Sequence, residues 1–172
     1  MIRLKTEHGF TLVEVLTVMV IIAILSAIAT PAFFSWLPNL RLRQASRGFF
    51  LDMQEAKSLA IKNNTPIGIT VTTVSCPGLP NIPSPGGSYT LFTDDGAGGG
   101  AAGDGIRAPG EAVIRTTQMP TDVALCNGAA QMASTSFLPT GSPIAFGTVT
   151  LNNSQANTST ITLSLSGNIR QN

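Results

Sequence analysis

Few residues of this chain could carry covalent chemistry. Its 172 residues contain one histidine, His8, and two cysteines, Cys76 and Cys126. Ser-His and Cys-His nucleophile pairs and histidine-based zinc sites all need an imidazole, and His8 lies in the short basic stretch that opens the sequence. The other reactive groups are carboxylates: Asp94, Asp95, Asp104 and Glu111 flank a glycine-dense run over residues 94–105. A phosphate-cradling loop would need a lysine and a hydroxyl beside its glycines, and neither is present. A calcium loop needs six or more oxygen ligands, yet between Gly96 and Gly103 only backbone oxygens are on offer. These carboxylates also lack the apolar neighbours that would raise a pKa for acid catalysis. A flexible surface loop between strands is the expected structure, with no catalytic residue, cofactor or metal.

One carboxylate stands apart. Glu14 sits near the start of an apolar stretch, and no charged residue follows it between residues 15 and 40. About twenty such residues suffice to cross a bilayer core as a helix. Arg3 and Lys5 precede it and would remain on the cytoplasmic side. A cleavable secretory signal has an apolar region of only about 7 to 15 residues; Ser26-Ala27-Ile28-Ala29 could pass for its cleavage site, but the run before it is longer. A plain one-pass anchor accounts for the length and leaves Glu14 unexplained. A carboxylate in an apolar span costs roughly 2.5–3.5 kcal/mol and marks a functional site by default.

Gly9-Phe10-Thr11-Leu12-Val13-Glu14 resembles the processing site of type IV pilins and type II secretion pseudopilins. The resemblance implies cleavage after Gly9 by a prepilin peptidase on the cytoplasmic side, N-methylation of Phe10 and retention of the helix in the mature protein. It also implies that Glu14 neutralises the terminal amine of a neighbouring subunit as subunits stack. A buried charge is tolerated when paired and strongly destabilising when its partner is removed.

The formal charge of +1 hides its distribution. Without residues 1–9, eight basic and eight acidic residues remain; from residue 63 onward, Arg107, Arg115 and Arg170 face Asp94, Asp95, Asp104, Glu111 and Asp122, a balance of minus two. Nothing in this pattern is an electrostatic footprint for nucleic acid. Only 11% of residues are charged against roughly 25% in ordinary soluble domains, so the surface must be built from Ser, Thr, Asn, Gln and Gly.

Four segments follow: a leader over 1–9, a transmembrane or filament-core half of a helix over 10–37, an amphipathic half over 38–64 and a β-rich head over 65–172. In the amphipathic half, Leu42, Ala45, Phe49, Met53, Ala56 and Ala60 recur at spacings of three and four, the mark of one buried helical face. Asp52, Glu55, Lys57 and Lys62 fall off this stripe and are expected in solvent. Pro31 predicts a kink or local melting, and Pro38 a second break; in the resembling family a proline here marks where the helix loosens during assembly. Asn63-Asn64-Thr65-Pro66 ends the helix, which if unbroken from Phe10 would span about 80 Å. In the head, residues 67–74, 148–151 and 160–165 alternate as strands do, and 89–93, 112–116, 123–126 and 134–138 are weaker strand candidates. Residues 77–87, rich in proline and glycine, read as a loop. An oxidising compartment would favour a Cys76–Cys126 disulfide over two buried thiols.

The order of pieces toward the C-terminus, Ser136-Phe137-Leu138-Pro139-Thr140-Gly141, then 148–151, then Leu163-Ser164-Leu165-Ser166-Gly167-Asn168-Ile169-Arg170, resembles the GspH/FimT group of minor pilins and pseudopilins. That group typically closes on Gly-Arg-x-Arg, and some members bind DNA there. Asn168 stands at the first arginine position, leaving Arg170 and, elsewhere, Arg115 as the remaining candidates for phosphate contact. The resemblance implies an α+β, pilin-like fold, with a long N-terminal helix packed on a small antiparallel sheet head. It implies a minor pilin or pseudopilin anchored once in a bacterial inner membrane, head in the periplasm, then incorporated into a type IV pilus or type II pseudopilus. Its partners would be other pilin subunits, the prepilin peptidase and an inner-membrane assembly platform. A DNA-binding minor pilin of a DNA-uptake pilus is the alternative.

Overall fold

A computed structural model describes residues 9–76, 81–127 and 131–172, leaving aside the side chain of Ala32. The leader, with His8, and residues 77–80 of the proline-rich loop lie outside the described residues. The fold is α+β: helix α1 (Leu12–Asn63) precedes eight strands. They are β1 (Ile67–Thr72), β2 (Ser88–Thr93), β3 (Val113–Gln118), β4 (Val123–Leu125), β5 (Ser134–Phe137), β6 (Gly147–Asn153), β7 (Thr158–Leu163) and β8 (Ile169–Gln171). Helical geometry continues through Pro31 and Pro38, so the local melting expected at Pro31 is not found. Two compact units divide at Leu37/Pro38.

The helix begins and ends on side-chain and backbone signals. Thr11 caps it: its Oγ1 accepts the Glu14 backbone N–H at 3.3 Å and its carbonyl accepts the Val15 N–H, a threonine N-cap on the third amide of the helix. At the other end Asn64 adopts φ 49° and the Thr65 N–H reaches back to the Ala60 carbonyl, a Schellman closure with asparagine in the left-handed position.

In the unit formed by Pro38–Asn172, two four-stranded antiparallel sheets run in the orders β3-β2-β1-β5 and β4-β6-β7-β8. The expected antiparallel pattern is thus realised as a pair of sheets. The predicted helical stripe is the helix's contribution to the core: Leu42, Phe49, Met53, Ala56 and Ala60 are buried and Ala45 packs against them. Alternating residues of both sheets complete the same core, Ile67, Ile69, Tyr89 and Leu91 from one and Val149, Leu151, Ile161 and Leu163 from the other. Phe49 meets Tyr89 edge-on, ring centroids 4.7 Å apart. A Cβ on Gly68 would lie 2.2 Å from the Phe92 ring, so only glycine lets that ring lie across β1. Strand β7 ends at Leu163, short of the 160–165 run expected as a strand, because residues 164–168 form a turn closed by the Ser164 N–H on the Asn168 carbonyl.

Cys76 and Cys126 are joined by a disulfide across a sequence separation of 50. It lies beside the Val74–Cys126 bridge that carries the end of the β1 segment onto the end of β4, linking the two sheets. Closing a loop of this length stabilises a fold by about 4 kcal/mol in the chain-entropy account.

Candidate functional site

The part of α1 lying in the first unit is apolar all round. Over Leu12–Pro31 its mean hydropathy is 2.7 and none of it is buried; Phe10, at 83% exposed, precedes the first turn. A helix of this kind is either a core helix or a membrane span, and no core surrounds it here. Its threonine hydroxyls turn back onto the helix, Thr17 donating to the Glu14 carbonyl at 2.9 Å and Thr30 to that of Ser26 at 2.6 Å. Polar side chains in hydrocarbon need such partners.

Glu14 is the one charged residue of this span and occupies its first turn. A negative charge near a helix N-terminus is favoured by the helix dipole. Its carboxylate has no hydrogen bond or ion pair among the described residues, so its charge is uncompensated by the chain's own described groups. Gly9 and Phe10 lie just upstream, exposed and outside the helix. The structure therefore places the terminus implied by cleavage after Gly9 within two residues of the helix start, in the same short segment as Glu14.

The glycine-dense loop differs from its expectation. Asp94 and Glu111 are buried, and each of their carboxylate oxygens accepts a backbone N–H: Gly103 and Gly105 donate to Asp94 at 3.0 and 2.8 Å, Gly96 and Ala108 to Glu111 at 3.1 and 2.7 Å. Gly105 takes φ 74° to deliver its N–H. The two carboxylates tie the loop in place where a flexible loop was expected. With their oxygens facing donors, they are poorly disposed to a cation, and no metal-binding group of His, Cys, Asp and Glu occurs among the described residues.

Arg115, on β3, binds Asp52 at 2.6 Å and Glu55 at 3.0 Å on α1. Asp52, and then Glu55, hold its guanidinium above its ordinary pKa. Asp52 also accepts the Tyr89 hydroxyl at 2.6 Å; burial first, and then this hydrogen bond, push the Tyr89 pKa upward. Lys57 donates to the Gly167 carbonyl at 2.8 Å. Asp52, Glu55 and Lys57 are therefore half-buried partners of the head and not solvated as expected, whereas Lys62 is exposed. Arg170 is exposed on β8 beside Thr162, Ser164, Ser166 and Asn168. The structure does not bring Arg170 and Arg115 together as one cationic surface: they sit on different sheets, and Arg115 is already neutralised.

Two fastenings escaped the sequence reading. Asn39 Oδ1 accepts from Asn153 at 2.8 Å and Asn157 at 2.7 Å, while its Nδ2 donates to Gln155 at 3.0 Å. Arg41 is ion-paired with Asp122. Both join α1 to turns more than 80 residues away, a separation that no local spacing rule can register.

Two family models match the chain: the prokaryotic N-terminal methylation motif over residues 4–30 and type II transport protein GspH over residues 45–167. Among solved structures, the minor pseudopilin EpsH of the Vibrio cholerae type 2 secretion system is similar at 12% identity and a TM-score of 0.50, covering 77% of this chain and 96% of that one. The type IV minor pilin FimU of Pseudomonas aeruginosa is similar at 14% identity and a TM-score of 0.51, covering 78% and 90%. No curated protein sequence matches. At these identities the structural likeness speaks to the fold.

Proposed function

We infer the function from one premise: the chain belongs to the type II transport protein GspH family and carries the prokaryotic N-terminal methylation motif. It is a minor pilin or pseudopilin, a structural subunit whose work is assembly. Cleavage after Gly9 by a prepilin peptidase and methylation of Phe10 mature the chain. The apolar helix holds it in the inner membrane with its head in the periplasm, where the Cys76–Cys126 disulfide forms, and then carries it into a pilus or pseudopilus. The observation that carries this reading is a span without any buried residue whose one charge, Glu14, has no partner among the described residues.

Assembly follows physically. Helix surface that faced lipid comes to face sister helices, and close packing between helices replaces lipid contacts. Glu14 sets register, because a carboxylate drawn into an apolar bundle must meet a cation or lose its place, and the methylated amine of a neighbouring Phe10 supplies one. The chain's partners are accordingly sister subunits, and the assembly platform moves them; the head supplies recognition without catalysis. Glu14→Ala should leave membrane insertion intact and lower the fraction recovered in sheared filaments by an order of magnitude or more. Wild-type incorporation of that variant would refute the role of Glu14.

A further inference from the structure

The uncharged stretch of α1 stays apolar while its composition changes. Residues 15–32 carry no aromatic side chain; then Phe33, Phe34 and Trp36 bring three aromatics into four residues. They are 56%, 65% and 54% exposed, and the Phe33 and Phe34 rings meet edge-on with centroids 6.2 Å apart. Helix propensity does not ask for this shift, since leucine forms helix better than either aromatic.

Trp36 is the informative member of the three. Its indole carries an N–H donor, and no group among the described residues accepts from it. A removed-from-water indole N–H seeks an acceptor, which neither hydrocarbon nor an all-apolar helix face supplies. The headgroup layer of a bilayer supplies an acceptor together with an apolar bed for the ring, and tryptophan gathers there for that reason. The spacing agrees. Glu14 and Trp36 lie 22 residues apart on α1, about 33 Å along its axis, against a hydrocarbon core of about 30 Å. A tilt of about 20° shortens this to about 31 Å and still leaves both residues at the edges of the core.

We propose that Phe33, Phe34 and Trp36 form an aromatic collar that binds the outer headgroup layer and thereby holds Glu14 in the opposite one until the subunit is extracted. The inference rests on the membrane reading of the span and adds its register. Glu14 then stays hydrated while the chain is in the bilayer. It meets hydrocarbon only as the helix is drawn outward, so its need for a cation arises at the moment of assembly.

Trp36 is the chain's one tryptophan, so the native protein carries its own depth probe. Full-length protein is placed, one copy to a disc, in lipid nanodiscs whose acyl chains are brominated near the glycerol or near the chain end. Trp36 emission should be quenched about twofold more by the shallow bromines, as for an indole roughly 15 Å from the bilayer centre. A27W/W36L, whose indole lies about 14 Å deeper, should reverse that order. The native cysteines are joined in a disulfide, so E14C and M19C each add one free thiol; a water-soluble maleimide should modify E14C and leave M19C intact. Stronger quenching of Trp36 by the chain-end bromines, quenching by neither lipid, or a protected E14C overturns the proposal and leaves the membrane span in place. Protein that never enters the discs would overturn the membrane reading itself and the proposal with it.

Discussion

One helix is used in two ways. Over Leu12–Pro31 its apolar residues point in every direction and none is buried. Further along, Leu42, Phe49, Met53, Ala56 and Ala60 form one stripe buried in the core, while Leu51 and Ile61 lie off it and are exposed. The second stretch satisfies itself inside the chain. The first cannot, and its stability rests on lipid or on sister helices. What separates them is the angular distribution of hydrophobicity, since both are rich in large apolar side chains. The charges divide the same way: Glu14 is left without a described partner, while Asp52 and Arg41 are matched across the head.

Substitutions sharpen this division. Phe49→Ala should cost the head about 3–5 kcal/mol, the range for emptying a core aromatic site. Leu25→Ala should leave the head's denaturant midpoint unchanged and act only through membrane or filament. Equal effects on head unfolding would erase the distinction. Asp94→Asn replaces a buried acceptor of two N–H groups by an amide that turns a donor toward one of them; a loss of about 1–3 kcal/mol is expected, with faster hydrogen exchange at Gly103 and Gly105. Unchanged exchange there would show that the loop does not depend on its carboxylate.

The smallest effect concerns Tyr89, the chain's one tyrosine. Its folded pKa is raised by burial and by its bond to Asp52, so the folded state holds this proton after the unfolded chain has released it near pH 10. Its contribution is complete below pH 10 and is lost as pH climbs toward the folded value, by up to about 1.4 kcal/mol per pH unit. Tyr89→Phe should flatten this alkaline decline in chemical denaturation. An unchanged slope would mean that the hydroxyl ionises as it does in water.

The helix stripe and most strands were legible because each obeys a short period, three to four residues for Leu42 to Ala60 and two for Val149 to Leu151. The motif at Gly9 to Glu14 was legible because it is contiguous. What failed had no period. The order in the glycine loop depends on Asp94 reaching Gly103 and Gly105, and the partners of Asp52 and Lys57 depend on where β3 and the turn at Gly167 come to lie. Asn39 was unreadable for the same reason, its four-amide cluster existing only once the β6–β7 turn meets the helix. A proline predicts a missing hydrogen bond, but one missing bond does not by itself end a helix, and α1 continues through Pro31.

The most direct test of the central claim is the intact mass of the protein recovered from membranes that contain its native processing enzymes. The account predicts residues 10–172 plus one methyl group, less two hydrogens for the disulfide. A chain beginning after Ala27 or Ala29, or one that keeps all 172 residues, would contradict it.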